Sequence, residues 1–237
     1  MGTMRLDRML ARCGYGTRKD VKRILKDGVV RINGQVVKDA AVHVDPAQQK
    51  VEVEDKIVQY REYIYLMLNK PEGVISATND SRFPTVTELV HEKYGHFDLF
   101  PAGRLDRDSQ GLILLTNDGQ LSHQLTSPGK HVPKRYQVTL DAEPRPELVQ
   151  CFQDGVILED GYKCLPAQIE LDGRDPKIVF VTLHEGKFHQ IKRMFAVNGY
   201  HVTTLRRLSI GSLELDPGLP EGGYRELSPE EEQQLKN

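Results

Sequence analysis

Three short segments of this 237-residue chain hold the residue types that chemistry needs. In GRLDRDSQGLILLTNDG, Arg104, Asp106, Arg107 and Asp108 fall within five residues, directly ahead of the apolar run GLILLT. A carboxylate in a loop that opens a buried strand can serve as nucleophile or base when a cation keeps it ionised and substrate excludes water. It can equally cap a turn, or pair with Arg104 or Arg107. In HVPKRYQVTL, Tyr136 starts a strand beside Lys134 and Arg135. A tyrosine among cations either stacks on a nucleobase or sits in the core. In EGKFHQIKRMF, Phe188, Ile191 and Phe195 share one helical face and are expected in the core. His189, Lys192 and Arg193 then point elsewhere. One of these cations reaches a carboxylate from another segment, or all face solvent.

Other chemistries lack their motifs. There is no HExxH, no Walker A loop, no GxSxG elbow and no GxGxxG after a strand. The eight histidines form no ligand-spaced cluster; His123, His184, His189 and His201 read as ordinary surface or hydrogen-bonding residues. Asp106 and Asp108 could be offered as metal ligands, but Arg104 and Arg107 beside them disfavour a bound cation. Cys13, Cys151 and Cys164 are an odd number without a CxxC pair, so neither a disulfide framework nor a zinc site is expected. The expectation is a site with no metal and no cofactor.

The elements that must position these residues follow from the hydrophobic pattern. RLDRMLARCGYGTRKDVKRILKDGVVRINGQVV reads as helix, turn, helix, hairpin. Leu6, Met9 and Leu10 mark one apolar face, and Gly14 and Gly16 break that helix. Thr17 is the expected N-cap of the next, with Val21, Ile24 and Leu25 buried and Gly28 at its end. Asn33-Gly34 is a strong hairpin signal. Residues 1–45 carry ten Lys/Arg and five Asp, whereas Glu214–Asn237 carry seven acids and two bases. That asymmetry, within a net charge of only −2, points to an N-terminal element that meets a polyanion. Arg5, Arg8, Arg18, Lys19, Lys22, Arg23 and Arg31 are its candidate RNA contacts, the second helix and hairpin offering a rigid basic surface to phosphates.

A polar stretch then leads into a second domain. The division expected is 1–56, a linker at 57–62, and 63–237. In the second domain YIYLMLNK, GLILLT, RYQVTL and KIVFVTL read as strands. TVTELVHEK, DGQLSHQLT, RPELVQCFQDG and FHQIKRMFAVNG read as helices, the last ending at Asn198-Gly199. Strands and helices without strict βαβ alternation imply an α+β domain around a mixed, largely antiparallel sheet. The longest apolar stretch, YIYLML, is too short to span a bilayer, and Arg5, Asp7, Arg8 and Arg12 interrupt any signal-peptide pattern. A cytoplasmic protein is expected, and a monomer, since no oligomerisation stripe stands out.

Residues 4–50, with the pattern RLDRML, TRKDVKRIL and INGQVV, resemble an S4 domain, a small α/β RNA-binding module. Behind it, GRLDRDSQGLILLTNDG, KRYQVTL and EGKFHQIKRMF in that order resemble the pseudouridine synthases of the RsuA type, over nearly the whole chain. HQIKRMF and SHQLTSPGKHVPKRY favour the small-subunit rRNA branch, whose members isomerise one uridine of 16S rRNA, U516. The resemblance implies that Asp106 is the catalytic aspartate. It implies that Tyr136 stacks on the target base and helps remove the C5 proton, and that Lys192 pairs with Asp106. Arg104 would serve base flipping and substrate contact. It also implies 16S rRNA, or a 30S assembly intermediate, as partner, and no cofactor. The rivals are a large-subunit (23S) rRNA synthase, a non-catalytic rRNA-binding assembly factor and a metal-dependent RNA hydrolase.

Overall fold

The computed structural model describes residues 2–236. The chain divides into two compact units: one runs to Ile64 and takes in His91–Asp98, the other comprises Tyr65–Val90 and Leu99 onward.

In the first unit, α1 (Leu6–Arg12) buries Leu6, Met9 and Leu10 on one face. Helix α2 (Arg18–Lys26) opens with a reciprocal cap: the Thr17 hydroxyl accepts from the Asp20 N–H, and the Asp20 carboxylate accepts from the Thr17 N–H. Val21 and Leu25 are fully buried, and Ile24 packs half-buried on the same core. Asn33 and Gly34 both hold positive φ, 51° and 82°, and turn β1 (Val30–Ile32) into β2 (Gln35–Val36). That is the combination a two-residue hairpin demands. With β3 (Val51–Val53) and β4 (Lys56–Ile57) they form an antiparallel sheet in the order β2-β1-β3-β4.

The second unit is built on a larger sheet. Its main path is made of β5 (Tyr65–Lys70), β6 (Gln110–Thr116), β7 (Lys134–Leu140), β8 (Gln168–Leu171), β9 (Ile178–Leu183), β10 (Val202–Ile210) and β11 (Tyr224–Glu226), with the two-residue strands Phe100–Pro101 and Leu213–Glu214 paired to β6 and β10. Their spatial order is β8-β9-β7-β10-β6-β5-β11. Only β10 and β6 run parallel; the other neighbours along this path are antiparallel. The α+β class with a mixed, largely antiparallel sheet is therefore as expected. Strand β5 is buried at every position and β6 at all but its first, so their apolar stretches, YLML and LILL, show no alternation. Strands β7 and β9 alternate because one face stays partly open. Helices α4 (Glu147–Asp154) and α5 (Gln190–Ala196) cover β7 to β10 through Leu148, Phe152, Ile191, Met194 and Phe195. Helices α3 (Gly119–Thr126) and α6 (Pro229–Lys236) pack Leu121, Leu125 and Leu235 against β5 and β6.

Two expectations need correction. TVTELVHEK is not one helix: a 3-10 turn at Glu88–Val90 is followed by a single α turn at His91–Tyr94. Phe188 is not core. Helix α5 starts only at Gln190, because His189 takes a left-handed φ of 49°, and this throws Phe188 off the apolar stripe. Phe188 is 74% exposed and stacks on the His189 ring instead, centroids 3.9 Å apart. Ile191 and Phe195 are buried as expected.

Candidate active site

The charged half of the opening segment is a loop that ends in β6. Its turn is closed by the Ser109 N–H donating to the Asp106 carbonyl at 3.1 Å. Neighbouring chain clamps it on both sides of Asp106. The Ser76 hydroxyl donates to the Leu105 carbonyl and accepts from the Leu105 N–H, each at 2.9 Å. The Gly73 N–H donates to the Arg107 carbonyl at 2.8 Å. Lys70, at the end of β5 and fully buried, donates to the carbonyls of Ser109 at 2.6 Å, Pro71 at 3.0 Å and Arg107 at 3.4 Å. Burial pulls the Lys70 ammonium down to about 8, although the charges of Asp108 and Asp106 oppose the shift. A cation satisfied mainly by carbonyls ties the loop to the edge of a rigid strand.

The Asp106 side chain is 30% exposed, and Lys192 of α5 and His189 at its N-cap approach it. Lys192 Nζ lies 3.8 Å from Asp106 Oδ2, and His189 Nε2 lies 3.5 Å from Asp106 Oδ1. Lys192 comes closer still to Asp108, at 2.5 Å. Burial works against ionisation of Asp108, but the Lys192 hydrogen bond and charge outweigh it and hold the carboxyl below its ordinary pKa. Lys192 therefore bridges two carboxylates rather than serving Asp106 alone. His189, read from sequence as ordinary, belongs to the site.

Asp106 opens onto a cavity of about 400 Å³, inside the range of small-ligand sites. Arg104, Lys134, Tyr136, His189 and Arg207 also line it. Tyr136 is 8% exposed and pairs across the sheet with Arg207 of β10, so the two project from the same face. Arg207 is 2% exposed; its Nε donates to the Leu112 carbonyl at 2.8 Å and its Nη1 to the Arg104 carbonyl at 3.4 Å. Gly111, at φ 99°, allows β6 to approach here: a Cβ would lie 2.3 Å from the Arg207 carbonyl oxygen. Arg104 itself is exposed.

The structure thus brings together Asp106, Tyr136, Lys192 and Arg104 from three separated segments. Sequence reasoning missed Lys70, Ser76, His189 and Arg207. The available signals were a lysine at the end of the strand that begins YLML, and an arginine between leucines in VTTLRRLSI.

In the first unit Arg8, Arg18, Lys19 and Lys22 are exposed. Arg5 and Arg23 already pair with Asp7 at 2.8 Å and Asp20 at 2.9 Å, and Arg31 pairs with Asp55. Among the described residues no group of three or more His, Cys, Asp or Glu is arranged to hold a metal ion. No helix among them is long and apolar enough to cross a membrane.

Comparison with known proteins agrees with this arrangement. The family model for RNA pseudouridylate synthases matches residues 64–197, and that for the S4 domain matches residues 4–50. An RNA pseudouridine synthase of Bacillus subtilis (strain 168) is 50% identical, over 96% of either chain. The ribosomal small subunit pseudouridine synthase A of Escherichia coli (strain K12) is 38% identical, over 96% of this chain and 98% of that one. A crystal structure of a pseudouridylate synthase superposes with a TM-score of 0.69 at 36% identity, covering 98% and 99% of the two chains. The chain belongs to the RNA pseudouridine synthases, a family of isomerases, and carries an S4 domain ahead of its synthase domain.

Proposed function

We propose that this protein converts one uridine of 16S rRNA, U516, to pseudouridine. The observation that carries the reading is the convergence of Asp106, Tyr136 and His189 on one cavity of nucleoside-accommodating size, with Lys192 of α5 3.8 Å from the Asp106 carboxylate. The small-subunit substrate rests on the kind of relative found: the Escherichia coli protein and others like it are named for the ribosomal small subunit. Free 16S rRNA or a 30S assembly intermediate is the partner, the cytoplasm the compartment, and a monomer the acting form. Residues 1–56 would hold the RNA through α2 and its hairpin, with 57–62 as linker and 63–237 as catalytic domain.

The target uridine must first leave the stack, at a cost of a few kcal/mol, offset by phosphate contacts of the basic unit. Asp106 then either attacks C1′ or removes the 2′ proton. On either path the C1′–N1 bond breaks and its electron pair departs with the uracil. Lys192 and His189 hold the carboxylate in place. Tyr136 keeps the detached base stacked while it turns. C5 bonds to C1′ as the Asp106–C1′ bond breaks or as C2′ takes its proton back, the C5 proton leaves to a base, and N1 takes up a proton, so reactant and product are isomers and no electron carrier is consumed.

Tritium release from 16S rRNA labelled at uridine C5, free and with ribosomal proteins bound, tests this. About one equivalent from wild type and none from Asp106→Ala is expected, followed by mapping of the modified position. Release from 23S rRNA alone would move the substrate to the large subunit. Silence on every rRNA would leave an RNA-binding protein without this activity.

A further inference from the structure

The floor of the cavity holds two cations that none of these reaction steps uses. Lys134 and Tyr136 stand two residues apart on β7, and Arg207 is the cross-strand partner of Tyr136, so strand geometry places all three on one face of the sheet. All three line the cavity that Asp106 opens onto. Lys192 spends its charge on Asp108 and Asp106, but among the described residues neither Lys134 nor Arg207 meets a carboxylate within ion-pair distance. Lys134 Nζ donates only to the Val132 carbonyl, at 3.0 Å. Arg207 is oriented by the Leu112 and Arg104 carbonyls, and its Nη2 is buried with no hydrogen-bond partner.

Arg207 is buried and Lys134 half-buried, and neither is in ion-pair contact with Asp106 or Glu185, the carboxylates that line the same cavity, an arrangement that is costly to fold. Burial, and then the nearby Arg207 guanidinium, pull the Lys134 ammonium below its ordinary pKa, which is the electrostatic signature of that juxtaposition. An arrangement of this kind suits an anion that exists only during reaction, because preorganised charge aimed at developing charge stabilises the transition state without stabilising the ground state.

We propose that Lys134 and Arg207 are catalytic residues that receive the negative charge of the uracil as it leaves C1′. This rests on the pseudouridine synthase reading of the site. As the C1′–N1 bond breaks, its electron pair stays on N1 and spreads to the pyrimidine oxygens, where the ammonium and guanidinium meet it. When C5 bonds to C1′ that charge is discharged, with the C5 proton lost and N1 protonated. A backbone phosphate is the rival anion. It fits less well, because Arg207 is 2% exposed, whereas Arg104, which lines the same cavity, is exposed to a passing polynucleotide backbone.

The test compares single-turnover cleavage of the target C1′–N1 bond in 16S rRNA containing uridine with that in 16S rRNA containing 5-fluorouridine, read after digestion as loss of the N-glycosidic nucleoside at the target, since the fluorinated base has no C5 proton to lose and its rejoined product keeps the fluorine. Fluorine at C5 makes the departing pyrimidine anion a weaker base, so it depends less on protein cations. Lys134→Gln is the decisive variant, since Lys134 is half-buried, whereas Arg207→Gln also strips two carbonyls of their donor. Thermal melts check that each variant folds. Lys134→Gln should slow the uridine substrate by about 10²-fold and the fluorinated one markedly less. Lys134→Arg should restore most of the rate, and RNA affinity with its salt dependence should be unchanged. An equal defect on both substrates, or no defect on either, overturns the proposal. So does a loss confined to affinity with a shallower salt slope, which would assign Lys134 to a phosphate. If wild type converts no uridine in any rRNA, the reading of the site itself falls, and this assignment with it.

Discussion

At the scale of single residues, Asp106 and Asp108 share a cation but not a role. Only Asp106 faces the cavity. Asp106→Asn should lower conversion by roughly 10⁴-fold, the scale seen when a member of a reacting constellation is removed. RNA affinity, read by filter binding, should stay near wild type. Asp108 is 61% exposed and draws Lys192 toward solvent. An exposed pair of this kind is worth at most about 1 kcal/mol, so Asp108→Asn should change the rate by less than about fivefold. The two phenylalanines of EGKFHQIKRMF separate in the same way. Phe195 is fully buried against Phe152, and Phe195→Ala should cost about 3–5 kcal/mol in denaturant melts. Phe188→Ala removes an exposed ring and should stay within about 0.5 kcal/mol. From sequence the two looked equivalent, because a helical period was extended through His189, whose left-handed backbone interrupts it.

At the scale of elements, the Asp106 loop depends on the strand beside it. Lys70 holds the carbonyls of Arg107 and Ser109, immediately after Asp106. Lys70→Met should release that clamp, and a misplacement of about 1 Å costs about 10²-fold in rate. The same residue leaves a mark on stability. Its folded pKa, about 8, lies below the 10.5 of an unperturbed lysine, so the unfolded chain binds more protons between those values. The cost of burying the charge is full below about pH 8 and fades as pH rises toward 10.5. Wild-type stability should therefore carry a rising component across that window that Lys70→Met lacks, read by chemical denaturation at stepped pH. The Ser76, Gly73 and Lys70 contacts link residues about 30 to 40 positions from the loop they hold. Hydrophobic period announces the strands, but it carries no information on which lysine at a strand end turns inward.

At the scale of the whole molecule, the basic cluster and the cavity lie in different compact units, and their contributions should separate in measurement. Lys19 and Lys22 are exposed on α2, and neither is an ion-pair partner of a carboxylate among the described residues. Replacing both by Gln should weaken binding to 16S rRNA and lower the salt slope by about one for each phosphate no longer neutralised, with turnover at saturating RNA unaltered. Arg23 and Arg31 already sit on Asp20 and Asp55, so their replacement should matter less. What the sequence by itself determined is whatever depends on neighbours along the chain. That includes the capped α2 with its basic face, the Asn33-Gly34 hairpin, the alternation of β7 and β9, and the motif order that marks the family. What only the tertiary structure decided depends on segments about 30 to 100 residues apart meeting in space. The carbonyl-bound Lys70, the sharing of Lys192 between two carboxylates and the placing of Arg207 opposite Tyr136 are all of that kind. A local pattern records which face of an element is apolar, whereas a buried charge is positioned by partners that no local pattern encodes.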